Sequence, residues 1–246
     1  HATAWEDAEL LKFTSERLTD CGGSYHLSVR NPKELHEMEA SWDKFLIAFG
    51  DLEEAKELLG RDSVRKMGAR MRNVADYVSK ELSPKYDDQF ATIVHGDYKA
   101  MNVFIPTETE KECSIIDFAS AGVGLGMSDV AMHITHALVP GDLSGEQELE
   151  LVHAYLEELE NARGTSASSK PYPKQEALRH YQLAAVDYCR FVMGRFWSTA
   201  TPESFERRKN SPNTVLVNRN LEAALAFIER VDVYLSRFED EIANEG

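Results

Sequence analysis

The residues that could carry out chemistry are concentrated in two short segments near the middle of the chain. Residues 95–102 read His-Gly-Asp-Tyr-Lys-Ala-Met-Asn, and residues 115–118 read Ile-Ile-Asp-Phe. Together they supply the carboxylates of Asp97 and Asp117 and the amide oxygen of Asn102. Oxygen ligands of this kind suit Mg²⁺, which takes its remaining ligands from water and substrate phosphates. Because phosphoryl transfer needs such a site and a carboxylate that orients the attacking hydroxyl, the two segments point to that reaction.

The elements around these segments must bring the three side chains together. Short apolar, β-branched runs predict strands at residues 90–94, 102–105 and 113–116, with 106–112 as a hairpin loop. The strand ends then place Asp97, Asn102 and Asp117 at one edge of a small β element.

The rest of the chain predicts helices. Apolar residues recur at three-to-four spacing in several stretches, which cover residues 10–18, 35–49, 63–82, 128–138, 144–159, 174–199 and 214–239. Residues 122–126 form a glycine-rich passage, and residues 163–171 are small and polar, as in a mobile connector. We therefore expect an α+β protein that is mostly helical.

Composition narrows the classes of protein. The chain has 246 residues and a formal net charge of −15, which disfavours a nucleic-acid partner and favours cationic small molecules. No apolar run reaches the roughly 20 residues that a membrane span needs. The 3 widely spaced cysteines indicate neither a disulfide framework nor a metal knuckle. We expect a cytoplasmic protein without a membrane partner, and the sequence leaves its oligomeric state open.

The spacing of the two segments resembles that of a known superfamily. His-Gly-Asp-x-x-x-x-Asn followed by Ile-Asp-Phe is similar to the catalytic loop and metal-binding motif of kinases, and is the signature of the aminoglycoside phosphotransferase and choline kinase superfamily. Residues 124–131, GLGMSDVA, resemble that superfamily's G-D-P-x-x-D-L-A segment, with Asp129 on the second aspartate. The resemblance implies a protein-kinase-like fold of the aminoglycoside phosphotransferase type.

The start of the chain adds to the resemblance. His1-Ala2-x-x-Trp5 is similar to the L-H-A end of the helix that follows the hinge in these kinases, and to the ecdysteroid-kinase-like subgroup. That subgroup carries Trp at the position of Lys99 and Gln at that of Ala119, so the two positions depart from its pattern.

The resemblance implies a role for each residue of the two segments. Asp97 is expected to be the catalytic base or hydroxyl-positioning carboxylate, and Asn102 and Asp117 the magnesium ligands. His95 is expected to hold the catalytic loop, and Lys99 to neutralise charge on the transferred phosphate. The implied cofactors are ATP and Mg²⁺, and the implied partner is a small-molecule hydroxyl substrate, cationic or neutral: a choline-, aminoglycoside- or steroid-like alcohol.

One part of the kinase pattern is missing. No glycine-rich flap and no strand lysine precede His95. We therefore expect residues 1–246 to be the C-terminal, catalytic and substrate-binding lobe of a phosphotransferase, with the nucleotide-binding lobe before His1. On this interpretation the chain alone is not expected to turn over ATP.

Alternative functions remain open at this point. The same fold without chemistry would be a catalytically inactive, kinase-like binding module. Asp129, His133 and His136 fall on one helix face at metal-ligand spacing, so a zinc site or a metal-dependent hydrolase that also uses Asp97 and Asp117 is a further alternative. A protein kinase is a variant of the main interpretation, weakened because no A-P-E motif follows Asp117.

Two further groups of residues have both a structural and a functional interpretation. The cluster at residues 207–209, Arg-Arg-Lys, could reach a phosphate, but a solvated loop is the expectation. A stripe of aromatic residues could line a pocket for a cation, although burial preferences favour helix core; it consists of Tyr181, Tyr188, Phe191, Phe196 and Trp197.

Overall fold

The structure is a computed structural model of the chain, and it describes residues 1–5, 7–19, 21–23, 25–27, 32–106, 113–137, 145–164 and 171–245. The chain divides into two compact units. The first comprises His1–Ser24, Glu81–Ala137 and Gly145–Ala184, and the second comprises Tyr25–Lys80, Leu138–Ser144 and Ala185–Gly246.

Helices dominate the described residues, with short strands in the first unit, and this confirms the expected α+β class. The helices are α1 (Ala8–Ser15), α2 (Pro32–His36), α3 (Met38–Phe49), α4 (Lys56–Gly60), α5 (Asp62–Arg65), α6 (Met67–Glu81), α7 (Gly126–Ala137), α8 (Gly145–Arg163), α9 (Lys174–Arg195), α10 (Pro202–Arg208) and α11 (Leu221–Glu245). The strands are β1 (Ala91–Val94), β2 (Val103–Phe104), β3 (Ser114–Ile115) and β4 (Gly122–Leu125).

Two antiparallel strand pairs form the β part of the first unit. β1 pairs with β4, from Ala91 opposite Leu125 to Val94 opposite Gly122. β2 pairs with β3, with Val103 opposite Ile115. β1, β2 and β3 lie within the three predicted strands and are shorter than predicted. Most of the predicted hairpin loop, residues 107–112, lies outside the described residues, as do residues 165–170 of the predicted connector.

Strand β4 corrects the interpretation of the glycine-rich passage. All four of its residues are buried. A Cβ on Gly124 would lie 2.8 Å from a methyl group of Val94, and one on Gly122 would lie 2.7 Å from the carbonyl oxygen of Thr19. Glycine is therefore required by close packing. With glycine at two of four positions, the segment lacks the alternation by which a strand is recognised in sequence.

The predicted helices are present, and the ends of several are corrected. The helix predicted for residues 63–82 is divided between α5 and α6. The helix predicted for residues 174–199 ends at Arg195, before a 3₁₀ turn at Trp197–Thr199. The last helix begins at Leu221 and not at residue 214. No helix in the described ranges is long and apolar enough to cross a membrane.

Helix α10 corrects the expectation of a loop between the last two long helices. The hydroxyl of Thr201 accepts a hydrogen bond from the N–H of Ser204 at 3.2 Å, and the hydroxyl of Ser204 accepts one from the N–H of Thr201 at 2.9 Å. This reciprocal cap starts the helix. Arg207 and Arg208 therefore lie in its last turn, and Lys209 follows it.

The second unit is built around a close helix contact. A Cβ on Gly68 of α6 would lie 2.9 Å from Cα of Glu39 and from Cβ of Trp42, both on α3. The indole N–H of Trp42 donates to the carbonyl oxygen of Val64 at 2.7 Å. The small residue at position 68 thus allows the two helices to approach and to bury Trp42, which is 1% exposed.

A buried tyrosine–histidine pair next to a partly exposed carboxylate lies in the first unit. Nδ1 of His180 is 2.5 Å from Oη of Tyr172, and its Nε2 is 3.0 Å from Oε1 of Glu176. Burial, with a smaller effect from the charge of Arg179, lowers the pKa of His180 to about 4. The neutral ring therefore accepts a hydrogen bond from Tyr172 and donates one to Glu176.

Replacing Gly122 by Ala is expected to destabilise the protein by about 1–3 kcal/mol, because backbone atoms of neighbouring segments must move. Gly60→Ala is the matched control, since a Cβ at Gly60 meets nothing within 4 Å. Urea unfolding followed by circular dichroism measures both variants. Equal stability of the two would contradict the role assigned to Gly122.

The buried His180 is expected to make the protein less stable as the pH falls from 6.5 towards about 4. In this range the unfolded chain binds a proton at His180 and the folded chain does not, which costs roughly 1.4 kcal/mol per pH unit. Urea unfolding at a series of pH values compares the protein with His180→Gln. The difference between the two should grow with acidification and level off below about pH 4, whereas parallel profiles would show that His180 titrates normally.

Candidate active site

The loop that follows β1 turns sharply at Gly96. Its φ is +78°, and a Cβ there would lie 2.2 Å from the carbonyl oxygen of Ser120 and 2.7 Å from the backbone nitrogen of Gly23. The N–H of Gly23 donates to the same carbonyl at 3.1 Å. Because only glycine tolerates both the dihedral angle and the contacts, three backbone segments meet at this turn without an intervening side chain.

The side chain of His95 joins this loop to the residues after β3. Its Nδ1 accepts a hydrogen bond from the N–H of Asp97 at 3.2 Å, and its Nε2 lies 2.8 Å from the carbonyl oxygen of Ile116. In the neutral ring the hydrogen is therefore on Nε2, which donates to Ile116. The ring of Phe118 packs on His95 with 4.6 Å between centroids. The ring of His95 thus contacts Asp97 and also Ile116 and Phe118, the two neighbours of Asp117 in the chain.

Asp129 on α7 holds the backbone of the loop. Its carboxylate accepts hydrogen bonds from the N–H of His95 at 2.7 Å and from the N–H of Gly96 at 2.9 Å. Asp129 is 3% exposed. Burial raises the pKa of Asp129, and the two backbone hydrogen bonds oppose this effect. The carboxylate is therefore a buried acceptor for two consecutive N–H groups.

His1 and Tyr155 extend this hydrogen-bond network. Nε2 of His1 lies 3.0 Å from Oδ2 of Asp129, and its Nδ1 lies 2.6 Å from Oη of Tyr155. Since the carboxylate accepts, Nε2 of His1 donates to it, and in the tautomer with its only hydrogen on Nε2 the ring accepts the hydroxyl hydrogen of Tyr155 at Nδ1. A Cβ on Gly126 would lie 2.6 Å from that hydroxyl, so glycine at position 126 makes room for it.

Asp97, Lys99 and Asn102 are in direct contact. Nζ of Lys99 lies 2.5 Å from Oδ2 of Asp97. The amide nitrogen of Asn102 donates to the carbonyl oxygen of Asp97 at 2.9 Å and to its Oδ2 at 3.3 Å. A 3₁₀ turn at Ala100–Asn102 brings the amide back to the aspartate. The second oxygen of Asp97, Oδ1, has no hydrogen-bond partner among the described residues, and so it can accept a further hydrogen.

Asp117 lies next to this group through a backbone contact. The N–H of Ile116 donates to the carbonyl oxygen of Asn102 at 3.0 Å. Asp117 is the next residue in the chain after Ile116. Asp117 is exposed, and its φ of +68° is the only positive φ of a non-glycine residue in the described ranges. A strained backbone of this kind costs on the order of 1 kcal/mol and is frequent at functional sites.

The sequence of the chain matches the model of a known protein family. Residues 20–165, more than half of the chain, match the phosphotransferase enzyme family, APH. The chain belongs to this family. The recognition from the two motifs is thereby confirmed, and so is the kinase-like fold. Membership indicates a kinase-like phosphotransferase enzyme. No curated protein matches the chain.

The residues of this phosphotransferase fit a magnesium ion. Oδ1 of Asn102 and both oxygens of Asp117 have no hydrogen-bond partner in the part of the chain that the structure describes, whereas the amide nitrogen of Asn102 is engaged with Asp97. The oxygen of Asn102 is therefore the atom left for a ligand. An amide oxygen and a carboxylate are the kinds of ligand that Mg²⁺ prefers.

The zinc alternative finds no support in this phosphotransferase. The described residues contain no group of three His, Cys, Asp or Glu side chains that could hold a metal. Asp129 is engaged with the loop, and the ring of His133 packs on Tyr98 with 5.0 Å between centroids. Burial lowers the pKa of His133 and also that of His136, the latter to about 3. The described residues therefore do not bring Asp129, His133 and His136 together as a metal-binding group.

The remaining candidates from the sequence lie away from the catalytic loop in the chain. Four members of the aromatic stripe are buried, as expected for helix core, and these are Tyr181, Tyr188, Phe191 and Trp197. Lys209 pairs with Glu206 at 2.7 Å on the surface.

Sequence reasoning missed two members of the network. His1 was noted only through the resemblance, and its contact with Asp129 joins residues 128 positions apart. Tyr155 gave no signal, because it lies in a helix with ordinary amphipathic spacing. The sequence signal for Tyr155 is Gly126, because a glycine at the start of a helix can indicate that another group packs closely against the backbone there.

Asp129→Asn is expected to loosen the catalytic loop. An amide offers one acceptor oxygen and turns its N–H₂ toward a backbone donor, so at least one of the two N–H groups is left unpaired, at a cost of about 1–3 kcal/mol. Amide hydrogen exchange measures protection at His95 and Gly96, which should fall in this variant. The exposed Asp51→Asn is the control, and unchanged protection in Asp129→Asn would show that the carboxylate does not hold the loop.

Proposed function

We propose that this chain is the catalytic and substrate-binding part of an enzyme that transfers the γ-phosphoryl group of ATP, bound with Mg²⁺, to a hydroxyl of a small molecule. The observation that carries the proposal is the state of Asp97. Lys99 and Asn102 hold its Oδ2, while its Oδ1 has no partner among the described residues. The carboxylate is thus fixed in orientation with one oxygen ready to accept the hydrogen of a substrate hydroxyl.

The other residues have distinct roles in this proposal. Asn102 and Asp117 would hold the magnesium ion, which neutralises negative charge on the phosphates when bound. Lys99 brings a positive charge beside the attacking oxygen, where negative charge develops in the transition state. His95 is a positioning residue, because it contacts the backbone of Asp97 and of Ile116.

The proposed class of substrate follows from the net charge of the chain. The net charge of −15 favours a cationic alcohol of the choline or aminoglycoside type, although a neutral steroid-like alcohol is compatible with it. The assignment of residues 1–246 to a C-terminal lobe, the inactive binding module and the cytoplasmic location stay predictions.

Asp97→Asn in the full-length protein is expected to lower the rate of ATP-dependent phosphorylation by about 10²–10⁴-fold, the usual contribution of a positioned base. Binding of the ATP analogue AMP-PNP with Mg²⁺ should change little, because Asn102 and Asp117 are intact. A panel of choline, kanamycin and neutral alcohols, followed by ³¹P NMR, measures turnover. Asp117→Asn is expected to weaken binding of the analogue and to raise the magnesium concentration required.

The exposed Asp51→Asn is the control for a change of one surface charge. Turnover retained in Asp97→Asn would remove Asp97 from the proposed role. Analogue binding without phosphorylation of any acceptor by the unmodified protein would favour the inactive binding module.

A further inference from the structure

A cavity of about 510 Å³ lies beside the catalytic loop in the first unit. Its volume falls in the range of small-molecule sites. His95 and Tyr98 line it, but Asp97, Lys99 and Asn102 do not. Because Thr3 and Phe118 are lining residues that are also exposed, the cavity opens to solvent. It is therefore a second accessible space, separate from the residues to which chemistry is assigned above.

The walls of this cavity are mostly apolar. They include Ala4, Leu10, Ile93, Val94, Ile115 and Val130. Among the described residues no lysine or arginine lines it, and the single carboxylate, that of Asp129, is engaged with the loop. A charged ligand would lose its hydration without gaining a partner, so the walls select an uncharged molecule.

The residues that line the cavity carry three hydroxyl groups, those of Thr3, Tyr98 and Tyr155. Both ring nitrogens of His1 are engaged, with Tyr155 and with Asp129. Both ring nitrogens of His95 are engaged as well, with Asp97 and Ile116. In the tautomer of His1 that donates to Asp129, Tyr155 gives its hydrogen to Nδ1 of His1 and keeps the lone pairs of its oxygen as acceptors. A ligand that pairs with this oxygen must donate a hydrogen.

We propose that the cavity is a binding site for a small, uncharged, largely apolar molecule whose hydroxyl pairs with the hydroxyl groups of the cavity residues, that of Tyr155 among them. The hydroxyl held there is not the phosphoryl acceptor, because Asp97 does not line the cavity. The site does not depend on the proposed phosphoryl transfer.

The test compares two fluorescent probes of nearly equal shape, 2-naphthol and 2-methoxynaphthalene, by titration into the full-length protein without nucleotide. The naphthol is expected to bind with a dissociation constant roughly two- to tenfold lower than that of its methyl ether, which is the value of one neutral hydrogen bond. Tyr155→Phe is expected to reduce this preference. Gly126→Ala should also reduce the preference, because its Cβ displaces the hydroxyl of Tyr155.

Val130→Phe fills the cavity and is expected to weaken the binding of both probes. Val233→Phe is the matched control, at a valine that is 65% exposed. Asp97→Asn should bind both probes as the unmodified protein does, so a failure of the proposed chemistry leaves this result intact. Equal binding of the two probes to the unmodified protein, undiminished binding in Val130→Phe, or no binding of either probe would each overturn the proposal.

Discussion

The carboxylate of Asp129 is the group on which the geometry of the site depends. It accepts hydrogen bonds from two consecutive backbone N–H groups, those of His95 and Gly96, at the point where β1 ends and the catalytic loop begins. A buried carboxylate is costly unless its oxygens are paired, and a buried N–H is costly for the same reason. The carboxylate of Asp129 and the two N–H groups are therefore each stabilised in the interior by the other. The start of the loop is held against α7 with little freedom, and the position of Asp97, two residues further on, follows from it.

Close backbone contacts at Gly96 and Gly122 also hold the loop and the strand after it in place. At Gly96 the loop lies against Ser120 and Gly23 with no room for a Cβ, and at Gly122 the next strand lies against Thr19 in the same way. Close-packed backbone cannot shift by changing a rotamer, whereas packed side chains can. His95 then transfers this order to the other side of the site, because its ring contacts both the N–H of Asp97 and the carbonyl of Ile116.

The parts of the site that sequence predicts are those whose contacts are local. Asn102 reaches Asp97 across five positions through a single 3₁₀ turn, so the spacing alone implies the contact. The contact of His1 with Asp129 spans 128 positions, and the hydrogen bond of Thr19 with Ala121 spans 102. No periodicity encodes such distances. Strand β4 could not be predicted for a related reason. Its glycines are required by close packing on the methyl groups of Val94 and on the backbone of Thr19, which lie elsewhere in the sequence.

The two faces of the catalytic loop differ in chemistry but share one anchor. On one face lie the polar Asp97, Lys99 and Asn102, and on the other His95 and Tyr98 border an apolar cavity. A molecule in that cavity can influence the polar face only if it binds one arrangement of the loop better than another. The hydrogen bonds from Tyr155 through His1 to Asp129 connect the cavity residues to the loop, because Oδ2 of Asp129, which His1 contacts, also accepts from the N–H of His95. A ligand that displaced Tyr155 would therefore reach Asp97 through His1, Asp129 and the backbone of His95.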